Sequence, residues 1–412
     1  MRTVHSSSRN GRYPLTLIAI ALLALATACA EGDLPAPGTA EAATEGRLVI
    51  IGGGLSAQNE AVYRDILDGR LGGGPICVFP TAGASPESSM ESAAGRFDRW
   101  GGDGSGHGIL ISTDNPESVH DPEVVEEIRS CGGFFFTGGQ QSRIVNVFLP
   151  DGESTPAYEA VMERFRAGAV VSGSSAGAAI MTSPMIAGGN SAPAFEDGLD
   201  GGVRLTPGLG FMPAAVMDQH FLARGRIGRL IVAVLQSPDF NLGFGIDENT
   251  ALVVEGDRAW VTGASGVIVV DGSQATTAGT TPAASSGLRL ELLGAGDTLD
   301  MRTRQVLLPE GKAPVSGLAF VAEEDGEEPA SPDAPADGLF ERWTLLHLLH
   351  HMAHEGSATI ASEVEGHRVI FRMAQGARGV SFAEVGVQGT PYGLSVGPIE
   401  IEVEATDPPG GP

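Results

Sequence analysis

From Arg47 onward the chain alternates short, wholly apolar runs with longer segments whose apolar residues recur at helical spacing. The runs are "RLVIIGGG", "ICVFPTAG", "GILIST", "GFFFTGG" and "GAVVSGSS". A strand that is apolar at every position is buried on both faces. These runs therefore predict a mostly parallel sheet covered by helices, an α/β three-layer sandwich. From about residue 243 the pattern changes to shorter strands with tight turns, "LGFGID", "TALVVEGD", "RAWVTGASGVIVVDGS" and "LRLELLGAG". These are expected as C-terminal antiparallel strands that finish the same domain near Pro309. The stretch 309–338, with "AEEDGEEPASPDAPADG", carries acid and proline without periodicity and predicts a linker. After it, 339–412 offers one helix, "LFERWTLLHLLHHMAHEG", and a few strands, expected as a small α+β appendage.

The N-terminal segment has its own pattern. Arg2, Arg9 and Arg12 precede an apolar run from Leu15 to about Ala26, which small residues close at Cys29. That order predicts an export signal over 1–29, too short for a comfortable membrane span of ~20 apolar residues. "ATAC" resembles a bacterial lipobox, so Cys29 is expected to become the lipidated first residue of a membrane-anchored protein, periplasmic or at the cell surface. Residues 30–46, rich in Ala, Pro, Gly and Glu, are then a flexible tether.

Composition narrows the partners. A formal charge of −26, with Lys312 the sole lysine, leaves no basic face for nucleic acid. Cys77 and Cys131 are the only other cysteines; a disulfide between them is left open, and no Cys/His spacing suggests zinc. His347, His350, His351 and His354 share one helix, but without an HExxH pattern they predict a His-rich packing helix rather than a metal site. "GGGLSAQN" (52–59) formally fits a dinucleotide fingerprint, yet the second strand ends in "FPTAG" with no acidic residue to hold a ribose. A tight glycine turn between strand and helix is the better account.

"GSSAG" (173–177) is the feature that points to chemistry. It is G-x-S-x-G at a strand-to-helix bend, the arrangement of a nucleophile elbow. The central residue, Ser175, is presented as nucleophile, while Ser174 is expected to point into the packing beneath. "FTGGQQ" (136–141) ends the neighbouring strand with two glycines, so backbone amides near Gly139 and Ala176 are candidate oxyanion donors. "MDQHFLARGRIGRL" (217–230) sets His220 among Asp218, Gln219, Arg224, Arg226 and Arg229, and "GIDENTAL" (245–252) offers two carboxylates, one of which is suited to orient a histidine.

Taken in order, "IGGGLSAQNEAVYRDI", "VFPTAGASPESS", "FFTGGQQSRI", "VSGSSAGAAIM", "DQHFLARGRIGRL" and "GIDENTAL" resemble the cyanophycinases. These are serine peptidases related to bacterial aspartyl dipeptidase, with a class I glutamine amidotransferase-like fold. The resemblance spans 47–308, the expected catalytic domain. It implies Ser175 as nucleophile and His220 as base, with a pocket of Gln141, Asp218, Gln219, Arg224, Arg226 and Arg229. The acid is Glu248, with Glu196 of "APAFEDG" as the alternative. It implies cyanophycin, a poly-aspartate bearing arginine on each side chain, as the substrate, cut exopeptidase-fashion into β-Asp-Arg dipeptides. No cofactor or metal is required, and a homodimer is left open. Gln140 departs from the acidic residue or asparagine usual before the pocket glutamine. The alternatives are a relative acting on acidic or isoaspartyl peptides and a catalytically silent binding lipoprotein.

Overall fold

The computed structural model describes residues 44–237, 239–277, 285–315, 338–355, 359–364 and 366–406. The expected export signal, Cys29 and most of the expected tether lie outside the described residues, as does 316–337 of the expected linker.

The apolar runs form a parallel sheet. Its strands lie in the spatial order Thr44–Ile51, Val170–Ser174, Gly133–Phe136, Ile76–Phe79, Gly106–Gly108. The first begins at Thr44, three residues inside the expected tether, because Thr44 pairs with Gly256. "GILIST" contributes only its first glycine to a strand; Ile109 and Ile111 are buried beyond the strand end. Successive residues face opposite layers, as the period of two requires. Val49, Ile51 and Val78 pack on helices Glu60–Asp68 and Pro86–Gly101. Leu48, Ile50, Phe79 and Phe136 pack on the other side, with helices Pro122–Ser130, Gln141–Phe148 and Pro156–Arg166. Cys77 and Cys131 are joined by a disulfide, with Cα atoms 5.9 Å apart, tying the strand Ile76–Phe79 to the entry of Gly133–Phe136.

The later strands do not finish one sheet. Thr250–Gly256, Arg258–Gly263, Thr298–Asp300 and Val306–Leu307 extend the first sheet antiparallel to nine strands. Leu242–Ile246, Gly266–Asp271 and Ser285–Gly294 belong instead to a second nine-stranded sheet. There Val216–Gln219 runs parallel to Leu242–Ile246 through the helix Ile227–Gln236.

The segment after 338 is built into this second sheet, which corrects the expectation of a small appendage. Ser395–Ala405 pairs with Ser285–Gly294, and His367–Ser381 pairs with Ser395–Ala405. Helix Thr344–Glu355 shares a core with helix Ile227–Gln236 through Leu349, Met352, Leu230 and Val234. Leu288, Leu290 and Leu292 form an apolar face that Val396, Ile399 and Ile401 of the paired strand extend, and these residues share one core with the two helices. Part of the expected linker is likewise fixed. Ala313–Pro314 pairs with the strand His367–Ser381, and the buried ammonium of Lys312 lies 2.5 Å from Asp297 Oδ1 and 2.7 Å from Ser395 Oγ.

Candidate active site

Ser175 closes the strand Val170–Ser174 at φ 56° and ψ −107°, directly before the short helix Ala176–Ala179. A non-glycine residue held there carries strain of about 1–3 kcal/mol, which the surrounding bend must over-determine. It does so by close approach: a Cβ on Gly173 would collide with the Gly177 carbonyl, and one on Gly177 with the Phe136 carbonyl. Ser174 is half-buried and lies in register with Ile51.

The histidine comes from the other sheet. Strand Val216–Gln219 delivers His220 at φ 49°, with its amide donating to the Gly52 carbonyl at 2.6 Å. Its Nε2 is 2.9 Å from Ser175 Oγ and its Nδ1 is 2.5 Å from Glu248 Oε1. Glu248 follows the strand Leu242–Ile246 at the crossover between the two sheets. Hydroxyl, imidazole and carboxylate thus stand in one hydrogen-bonded line. Burial lowers the His220 pKa below its ordinary value. Arg224 and Arg226 push it the same way, whereas the Glu248 hydrogen bond and charge oppose them. Neutral imidazole is the form a general base needs.

The glycine turn at 52–54 has a more particular role than joining strand to helix. Gly53, at φ 111°, lies so close to the His220 ring that any Cβ would overlap it, and a Cβ on Gly54 would meet Glu248 at 3.4 Å. Behind it, Asn249 donates its amide to the Gly53 carbonyl at 2.7 Å and accepts on Oδ1 from the Ser56 amide at 3.0 Å. Asn59 Nδ2 donates to the same Oδ1 at 2.9 Å. "GGGLSAQN" therefore fastens to the residue beside Glu248. Only a partner elsewhere in the chain reveals this, and periodicity carries no such signal.

On the oxyanion side, Gly139 has φ 144° and backs onto the Ala82 carbonyl, and Ala176 follows the serine. Gly138, the other glycine of "FTGGQQ", lies against the serine: a Cβ there would be 3.3 Å from the Ser175 Cβ. Gln141 opens its helix and donates to the Ile186 carbonyl at 3.3 Å, and Gln140 donates to Ser142 Oγ.

The expected substrate pocket divides. Asp218 and Arg229 do not face a cleft together with the rest, because each is satisfied by the other. Arg229 Nε donates to Asp218 Oδ2 at 2.7 Å and Nη2 to Oδ1 at 2.5 Å, with side-chain exposures of 6% and 1%. Arg229 Nη1 also donates to the Gly189 carbonyl at 2.6 Å. Two opposite charges eleven residues apart, on a buried strand and the buried side of a helix, neutralise each other before either meets solvent. Arg226 donates to the Gln219 carbonyl at 2.5 Å and stands 3.5 Å from Asp218; burial brings its pKa down to about 10, still cationic at neutral pH. Gln219 is buried. Arg224 is exposed, and its charge is felt at His220. Glu196, the alternative acid, is exposed on helix Ser191–Asp197, and it is Glu248 that meets His220.

The His-rich helix turns His350 into the core, where burial lowers its pKa to about 4, with His354, His347 and His351 adding to the effect. Among the described residues no group of three or more His, Cys, Asp or Glu side chains is placed to hold a metal ion.

The chain is similar to several known proteins. The model of peptidase family S51 matches residues 48–262. A cyanophycinase of Nostoc sp. is 34% identical over 279 residues, covering 64% of this chain and 89% of the relative. The Trichormus variabilis cyanophycinase gives the same identity and coverage. The Geminocystis herdmanii cyanophycinase is 37% identical over 193 residues, 45% of this chain and 68% of the relative. A crystal structure of a peptidase from an acI-B1 Actinobacterium is similar at a TM-score of 0.46 and 20% identity, covering 62% of this chain and 96% of that one. The family model and the extent of these relatives place the chain in peptidase family S51, as a serine-type peptidase.

Proposed function

We propose that the chain is an exported, lipid-anchored cyanophycinase that releases β-Asp-Arg dipeptides through an acyl-enzyme on Ser175. The observation that carries the chemistry is the line from Ser175 Oγ through His220 to Glu248, with separations of 2.9 and 2.5 Å. Ser175 Oγ attacks the scissile carbonyl while His220 Nε2 takes its proton. Glu248 accepts the hydrogen bond from Nδ1–H and stabilises the imidazolium that forms. The amides of Gly139 and Ala176 are the proposed oxyanion donors. His220 then protonates the leaving amine, and water attacking the ester by the reverse path frees the acid product and restores the serine. The five parallel strands of the first sheet support the amidotransferase-like core that this reading expects.

The substrate class rests on the cyanophycinase relatives and on Arg224, an exposed guanidinium close to His220 and suited to an aspartyl carboxylate. The Cys77–Cys131 disulfide supports export, since such bonds persist in oxidising compartments. A second reading, cleavage of other acidic or isoaspartyl peptides, is favoured by Asp218. With its charge taken by Arg229, it does not stand ready to meet a substrate arginine. The test is to incubate the protein, begun after Cys29, with insoluble cyanophycin and to weigh the soluble products. β-Asp-Arg is expected; intact polymer alongside cleaved α-linked acidic peptides would favour the second reading.

A further inference from the structure

Asp247 adjoins the acid of the triad in sequence yet does not touch His220, and it is wholly buried. Its two oxygens have separate partners on separate segments. Oδ1 accepts the Ala223 amide at 3.0 Å, in the turn three residues beyond His220. Oδ2 accepts the Ser265 hydroxyl at 2.7 Å, in the turn between Arg258–Gly263 and Gly266–Asp271. Ser265 in turn donates its amide to Thr250 Oγ1 at 2.8 Å, and that hydroxyl donates to the Glu248 carbonyl at 3.0 Å. The histidine turn has further anchors: Gly52 for the His220 amide, Ile246 for the Phe221 amide at 3.2 Å, and on the far side the Trp343 amide and Arg342 Nε, which donate to the Leu222 and Ala223 carbonyls at 2.9 and 3.1 Å. The Ala223 amide is the far-side group that bonds to the segment carrying Glu248.

We propose that Asp247 is a positioning residue for the proposed triad, its carboxylate clamping the turn that carries His220 to the segment that carries Glu248. The inference rests on the serine-peptidase mechanism above. Two features of the site call for such a clamp. His220 and Asn249 both hold positive φ, so the turns on either side of the His220–Glu248 contact are strained and relax unless restrained. The contact also joins residues 28 apart, delivered by different strands, so a small shift of either turn opens it. Burial pushes the Asp247 pKa up to about 6, opposed by the Ser265 hydroxyl and the amides of Ala223 and Glu248. At neutral pH the carboxylate is therefore ionised and accepts at both oxygens, the form its two donors require.

The test is the rate at which Ser175 takes up a fluorophosphonate, read beside kcat and KM on peptide substrate at pH 7.5. Asp247→Ala is expected to slow labelling and lower kcat at least tenfold, with KM within threefold of wild type. Asp247→Asn keeps an acceptor for Ala223 and the side-chain volume, and is expected to recover labelling to within threefold. Ser265→Ala, a smaller change that takes the donor from Oδ2 and leaves the Ala223 contact at Oδ1, is expected to slow labelling three- to tenfold with unaltered KM. Combined with Asp247→Ala, it is expected to add nothing. Ser265→Ala labelling at the wild-type rate overturns the clamp whatever becomes of Asp247→Ala, as does Asp247→Asn labelling as slowly as Asp247→Ala. A wild-type protein that takes no label refutes the serine nucleophile instead, and the inference falls with it.

Discussion

Replacing Arg229 by methionine separates two roles for this arginine, as partner of Asp218 or as contact for substrate. The side chain is 6% exposed and the carboxylate it faces 1%, so Arg229→Met leaves a negative charge in the interior. Removing one partner of a buried ion pair costs about 3–5 kcal/mol, most of it the penalty for the charge left behind. Asp218 keeps the Gln219 amide at 2.8 Å and Arg226 at 3.5 Å, which favours the lower end, about 3 kcal/mol. At a urea slope of roughly 3 kcal/mol/M that is a fall of about 1 M in the unfolding midpoint. Asp218→Asn in the same chain removes the stranded charge and should restore part of the loss, a non-additivity that a double-mutant cycle reads directly. Because Asp218 lies two residues before His220, kcat should fall as well. An Arg229→Met protein with the wild-type midpoint and a KM raised tenfold or more would refute the reasoning and return Arg229 to the substrate pocket.

Other consequences follow from the same geometry. Ser175→Ala should abolish hydrolysis by ~10³-fold or more, while Ser174→Ala stays active; the reverse pattern in steady-state assays would reassign the nucleophile. Glu248→Gln should lower kcat sharply and Glu196→Gln should not, since only Glu248 meets His220; equal rates for the two variants would remove Glu248 from the mechanism. The base must be neutral, and the free-enzyme pKa of His220 is lowered from 6.5, so the acid limb of kcat/KM should lie below that value. Glu248→Gln removes the group that raises this pKa and should move the limb further down, whereas a limb above 6.5 in wild type would contradict the burial of His220. Lys312→Met should lower the unfolding midpoint with kcat unchanged, because Asp297 loses its cation far from Ser175 in sequence and in sheet; an unaltered midpoint would show the contact idle.

Much of this was legible in the residues, for physical reasons that differ from one element to the next. Strands apolar at every position announce burial on both faces, and "VVSGS" and "GFFF" lie side by side as that rule expects. The tight bend at Ser175 is legible because only small residues fit where Gly173 meets Gly177. What the sequence hid was pairing between distant segments. "IEIEVEA" alternates as a half-buried antiparallel strand does, but nothing in it says that its partners are Ser285–Gly294 and the strand His367–Ser381, so the sequence shows an appendage where the structure has an integral sheet. Likewise a row of arginines beside an aspartate offers cations to a ligand and to the aspartate alike. Burial decided between them: Arg229 turns inward onto Asp218, and Arg224 outward.

The central claim is that Ser175 is the nucleophile, and it is tested most directly by mapping the residue that a fluorophosphonate modifies in the native protein. Digestion and fragment masses should place a single adduct on Ser175 of "GAVVSGSSAGAAI", lost when the protein is unfolded first. An adduct on Ser174, or a protein that cleaves peptide while its serines stay unmodified, would contradict the account.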